Sequence, residues 1–134
     1  MAMPSSQLFK GKGVKKDLVL ELSQGEDVFE CIRQGMMQQK IKEANVKAIE
    51  GVLSKASINY MSGSRYIFDE LSGVSVLKTH GKYELRGKNN DVLYGNLHVV
   101  VKLAGKPVSA TLTKATASEG LKIRLQFVEV EEKK

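Results

Sequence analysis

The chain has 134 residues, of which 42% are hydrophobic and 27% charged, with a formal net charge of +6. That length suits a single domain with a real core, and no apolar run approaches the roughly 18 residues that suggest a membrane span. The first residues lack the apolar stretch of a secretory signal, and a single cysteine, Cys31, leaves no internal disulfide, so a reducing, cytoplasmic setting is expected.

The positive charge is unevenly placed. Lys10, Lys12, Lys15 and Lys16 fall within the first 16 residues, which carry no acid, leaving 17 basic against 15 acidic residues in the remainder. Residues 1–16 therefore read as a flexible basic leader that can touch phosphates without reading sequence. Residues 17–130 read as one domain, and residues 131–134 as a charged tail.

Leu18, Leu20 and Leu22 alternate with Val19 and Glu21, the period of a first strand over 17–22. Ser23 and Glu26 have the spacing of a capping box. Val28, Phe29, Ile32 and Met36 recur at helical spacing, which predicts an amphipathic helix over 26–40 with Gly35 as a point of close packing. Extended segments follow, one with Ala44, Val46 and Ala48 facing opposite to Ile49, the next carrying Ala56, Ile58 and Tyr60. Ser62-Gly63-Ser64 and Ser72-Gly73 read as turns around a short strand at 66–68, and 74–77 fits either a strand or an ordered loop. Tyr83 and Leu85 alternate with polar neighbours before a turn at Lys88-Asn89-Asn90-Asp91.

The clearest hairpin runs from Leu97 to Leu112 and turns at Ala104-Gly105-Lys106-Pro107. Leu97, Val99, Val101 and Leu103 form its apolar face, so His98 points the other way. Leu121, Ile123, Leu125 and Phe127 give a last strand. One long helix and many short strands predict an α+β fold, a mainly antiparallel sheet with the helix packed on one face.

Candidate chemistry is sparse. Cys31 lies among apolar neighbours with no histidine in its segment, which favours a structural thiol. His80 falls in a predicted connection, and Asp69-Glu70 reads as a solvated acidic pair. Arg86-Gly87-Lys88 lacks the flanking proline of a minor-groove hook, and Gly25 is followed by acids that repel phosphate. No pair of titratable groups has a spacing that implies a nucleophile and its base, so no enzymatic activity is expected.

The order of Gly25-Glu-Asp-Val28, the helix, Ile41 to Gly51, Gly81-Lys-Tyr-Glu-Leu85 and Leu97 to Val108 resembles the PPC domain, the plant- and prokaryote-conserved family, over roughly 17–128. The resemblance implies an α+β domain that assembles as a homotrimer through its sheet. In plants such domains accompany AT-hook motifs; many prokaryotic members stand alone and are assigned to DNA binding. Many also carry His-x-His on the hairpin's first strand and Gly-Gly-His-Leu on its return, a cluster able to hold a metal. Here those positions are Asn96, His98 and Ser109-Ala110-Thr111-Leu112. A lone imidazole is a poor divalent-ion site, so no metal or other cofactor is expected. Asn96, His98 and Thr111 instead offer a polar patch for a small ligand.

The expected function is thus a non-catalytic, self-associating binding domain without membrane contact. Lys10, Lys12, Lys15 and Lys16 would supply weak, non-specific DNA contacts, as in a DNA-associated regulatory protein. The alternative is a trimeric small-molecule or partner-binding module with a degenerate metal site at Asn96, His98 and Thr111.

Overall fold

The computed structural model describes residues 13–130. Seven strands and one helix follow in the order β1 (Gly13–Leu22), α1 (Val28–Gln38), β2 (Glu43–Glu50), β3 (Val52–Ser62), β4 (Arg65–Arg86), β5 (Val92–Leu103), β6 (Lys106–Ala117) and β7 (Leu121–Val130). Every strand pairing is antiparallel.

β4 organises the sheet. Its 22 residues pair with β3 from Arg65 to Ser75, then with β5 from Val76 to Arg86. β6 joins β3 to β5, so β4, β3, β6 and β5 form a closed circuit, and β2, β7 and β1 extend from β4 as a wing. The two turns predicted around 66–68 are resolved differently. Gly63 lies in the β3–β4 turn, whereas Gly73, at φ +59°, sits inside β4 without ending it. His80, expected in a connection, and Asp69-Glu70 are likewise β4 residues, with the Asp69 carboxylate accepting from the Tyr60 hydroxyl at 3.2 Å.

β4 and β5 approach closely where the circuit closes. Gly81 stands opposite Leu97, and Gly95 opposite Tyr83. A Cβ at Gly81 would run into the Asn96 carbonyl and sit 3.0 Å from the Leu97 Cα; one at Gly95 would meet the Lys82 carbonyl and the Tyr83 ring. Each large side chain therefore occupies space that its glycine partner leaves open, a small-to-large pairing suited to a tightly curved strand pair. Tyr83 is 4% exposed, and burial pushes its phenol well above the ordinary tyrosine range.

β2 and β3 share one register against β4, Glu43 opposite Glu84 and Leu53 opposite Val74, but between these stretches the pairing opens. A β-bulge at Lys47 interrupts the β2–β7 pairing, and another at Leu77 interrupts the β4–β5 pairing. The Lys47 bulge also corrects the predicted face of β2: it turns Ile49 inward, 6% exposed, with Ala44 and Val46.

The helix is short. Eleven residues are helical, not the 15 expected from 26 to 40, and the fold is dominated by sheet. Asp27 is the N-cap and accepts from the Phe29 and Glu30 N–H groups, while Glu26 reaches back to the Ser23 N–H at 2.7 Å, one half of the expected capping box. Lys40, at φ +56°, ends the helix, with the Ile41 N–H donating to the Met36 carbonyl and the Lys40 N–H to the Met37 carbonyl. This is a Schellman closure with lysine where glycine is usual. Val28, Ile32 and Met36 are fully buried, and Gly35 lets the helix close on Leu18 and Leu20 of β1.

β1 also begins earlier than expected. Lys15 and Lys16 lie within it, opposite Val128 and Phe127, so residues 13–16 belong to the sheet and not to a flexible leader. The predicted 97–112 hairpin forms as expected, on a tighter turn: Ala104 and Gly105 alone close it, both with positive φ, and Lys106 and Pro107 already belong to β6.

Two stability outcomes follow. Lys40→Gly relieves a left-handed lysine and is expected to raise stability by up to about 1 kcal/mol in urea unfolding. A tyrosine whose folded pKa is raised contributes stability below the unfolded value, near 10, that is lost as pH rises through it. Stability should therefore fall above about pH 10, with one phenol ionising only as the chain unfolds by absorbance at 295 nm, and Tyr83→Phe should remove that part of the pH dependence.

Candidate binding site

Alternation along β4 turns Thr79, Gly81, Tyr83 and Leu85 inward and Lys78, His80, Lys82, Glu84 and Arg86 outward. The register places Asn96 opposite Lys82, His98 opposite His80 and Tyr94 opposite Glu84, so β5 continues the same outer face. Thr111 of β6 lies opposite His98 and carries it further.

His98 is exposed and points away from the buried Leu97 and Val99, as its alternation implied. Its Nδ1 is 3.3 Å from the Thr111 Oγ1, and Nε2 has no partner among the described residues. His80, set apart from it by sequence reasoning, is its direct cross-strand partner. The missed signal was the strand pattern itself, since an uninterrupted β4 puts His80 on the same face as Lys78 and Lys82. Among the described residues, no group of three or more His, Cys, Asp or Glu side chains converges as a metal site would require.

The remaining charges of this face are partly matched. Lys82 Nζ lies 3.0 Å from Glu43, and Arg86 pairs with Glu84 while its guanidinium stacks 3.7 Å above the Tyr94 ring. Lys78 and Lys102 are exposed and make no ion pair among the described residues. Lys15 and Lys16, as successive strand residues, project to opposite faces of β1 and cannot grip one phosphate together. Lys10 and Lys12 lie outside the described residues.

A cleft of about 630 Å³ opens where β5 and β6 part beyond the Leu97–Leu112 pair and the first turns of α1 cross the gap. It divides the predicted polar patch: Asn96 and Thr111 border the cleft, and His98 does not. Phe29 packs against Tyr83 with ring centres 6.1 Å apart. Arg33 is held by Glu30 through Nε and Nη2 and donates from Nη1 to the Asp91 carbonyl at 3.0 Å. Cys31, half-buried on the same helix, has its thiol pushed up by burial and then by the Glu26, Asp27 and Glu30 carboxylates, the opposite of an activated nucleophile.

A search of curated proteins finds no match to this chain. Several solved structures share its fold. A metal-containing protein from Archaeoglobus fulgidus is similar at 20% identity, with 94% of this chain and 88% of that one covered and a TM-score of 0.69. A plant- and prokaryote-conserved protein from Pyrococcus horikoshii is similar at 14% identity, with 96% and 87% covered and a TM-score of 0.65. A protein from Ralstonia eutropha named "Putative DNA-binding protein" is similar at 15% identity, with 83% and 76% covered and a TM-score of 0.64. The model of the Plants and Prokaryotes Conserved domain matches residues 10–119, and with that span the chain belongs to this family.

Proposed function

We propose that the chain is a non-catalytic, self-associating binding module of the cytoplasm that holds DNA weakly through its phosphates, without reading bases. The observation that carries this reading is the row of donors on β4. Lys78, His80, Lys82 and Arg86 share the outer face, and alternate strand positions stand about 6.8 Å apart. The row thus offers donors over roughly 27 Å, a length that can follow a phosphate backbone. Glu43 and Glu84 offset two of the charges, which keeps affinity low. Lys10, Lys12, Lys15 and Lys16 add further cationic contacts. The name of the similar Ralstonia protein points the same way.

Self-association, as a homotrimer, multiplies such weak contacts through effective concentration. Its support is an apolar patch at the β3–β4 turn, where Met61, Tyr66 and Phe68 are 59%, 57% and 71% exposed. Tyr66 and Phe68 are in edge-to-face contact, 5.2 Å apart, which holds the patch in one shape. Exposed clusters of this kind mark contact surfaces.

Fluorescence anisotropy with a labelled duplex at low and moderate salt tests the DNA reading. Lys78→Ser with Lys82→Ser should weaken binding at least about 5-fold and flatten the slope of log affinity against log salt by about 1.8, two phosphate contacts' worth. The quadruple Lys10, Lys12, Lys15 and Lys16→Ser variant reports the N-terminal share separately. Unchanged affinity in both variants, or no binding by the parent chain, overturns the reading. Light scattering should give three chains per particle, reduced by Tyr66→Ser with Phe68→Ser.

A further inference from the structure

The geometry points to a second site, independent of DNA: we propose that the cleft between α1, β5 and β6 binds a small organic amine with an apolar body. The Tyr83 side chain lines this cleft, is 96% removed from solvent, and donates to no group among the described residues. The hydroxyl is not sealed off, since among the described residues Thr79 Oγ1 is the only fully buried side-chain polar atom without a partner, so the Tyr83 hydroxyl stays open to pair with a ligand. A ligand acceptor or donor at that point would take the place of water on this hydroxyl. Around it, Phe29, Leu93 and Leu112 provide apolar wall.

Charge selects the ligand's head group. Asp27, Glu30 and Asp91 line the cleft against one cation, Arg33. That cation is already committed, its Nε and Nη2 to Glu30 and its Nη1 to the Asp91 carbonyl. The first N–H groups of α1 are likewise taken by the Asp27 carboxylate. An anion would find no uncommitted charged donor there and would face three carboxylates against one guanidinium. The Asp91 carboxylate feels the Arg33 charge but forms no ion pair among the described residues, and it can receive an ammonium in a cleft that the Phe29 and Tyr83 rings also line. A volume near 630 Å³ lies within the range of small-molecule sites.

Ligand-observed NMR and thermal shift on the intact chain test this with phenethylamine, isoamylamine and agmatine, against 3-phenylpropionate as the anion of matched body. At least one amine should bind saturably at millimolar concentration and raise Tm with concentration, whereas 3-phenylpropionate should not. Asp91→Asn and Tyr83→Phe, both close in shape to the parent residue, should each weaken the amine about 5-fold while the variants stay folded by circular dichroism. His98→Ala, outside the cleft, should bind as the parent does. No saturable amine binding, equal binding of acid and amine, or undiminished affinity in both cleft variants would overturn the inference. Failure of DNA binding leaves it untouched, and its own failure leaves the DNA reading intact.

Discussion

The close approach of β4 and β5 at Gly81 and Gly95 is the constraint on which the rest of the molecule depends. A strand of 22 residues cannot serve two neighbours on a flat sheet without leaving its far half unpaired. Here β4 leaves β3 near Ser75 and takes up β5 from Val76, and the circuit through β6 closes. Such curvature crowds the inner face, where the two glycines make room for Leu97 and Tyr83. Closing the circuit also removes the exposed edges that β3, β5 and β6 would otherwise present.

Function follows from what that closure leaves outside. The inner alternates are spent on packing, so the outer ones carry the polar rows, Lys78 to Arg86 on β4 with Asn96, His98 and Thr111 beside them, along with exposed apolar residues such as Phe68 and Val92. The same curvature makes β5 and β6 separate at one end, and α1 covers the gap incompletely, which creates the cleft. At the other side β2 and β3 keep one register against β4 across an opening of several residues, and the bulges at Lys47 and Leu77 lie beside it, within the β2–β7 and β4–β5 pairings. The Thr79 hydroxyl, buried without a partner beside this opening, shows how local the resulting strain on polar pairing is.

Strands with uninterrupted alternation were legible in the sequence. The 97–112 hairpin and the last strand carry their apolar residues at every second position, and the structure buries Leu97, Val99, Val101, Leu121, Ile123 and Leu125 as that pattern requires. Elements bent by a bulge or an unexpected backbone angle were not. Ile49 reads as outward until Lys47 is bulged, and Ser72-Gly73 reads as a turn because a left-handed glycine inside a strand leaves the same local signature as one that reverses the chain. The helix ends early because Lys40 adopts an angle that its residue type does not announce. Of the predicted patch, His98 and Thr111 do meet, while its partnership with His80 depended on recognising β4 as one strand.

The most direct measurement is the stability of Gly81→Ala. At a strand position with space and ordinary backbone angles, this exchange stabilises by about 0.4–1 kcal/mol through loss of unfolded-state entropy. Gly81 has no positive φ, so the close approach alone decides the sign. Denaturant unfolding should show a loss of about 2 kcal/mol or more, since the added methyl meets backbone atoms of Asn96 and Leu97 that cannot turn aside. A variant as stable as the parent, or more so, would contradict a fold built on that contact.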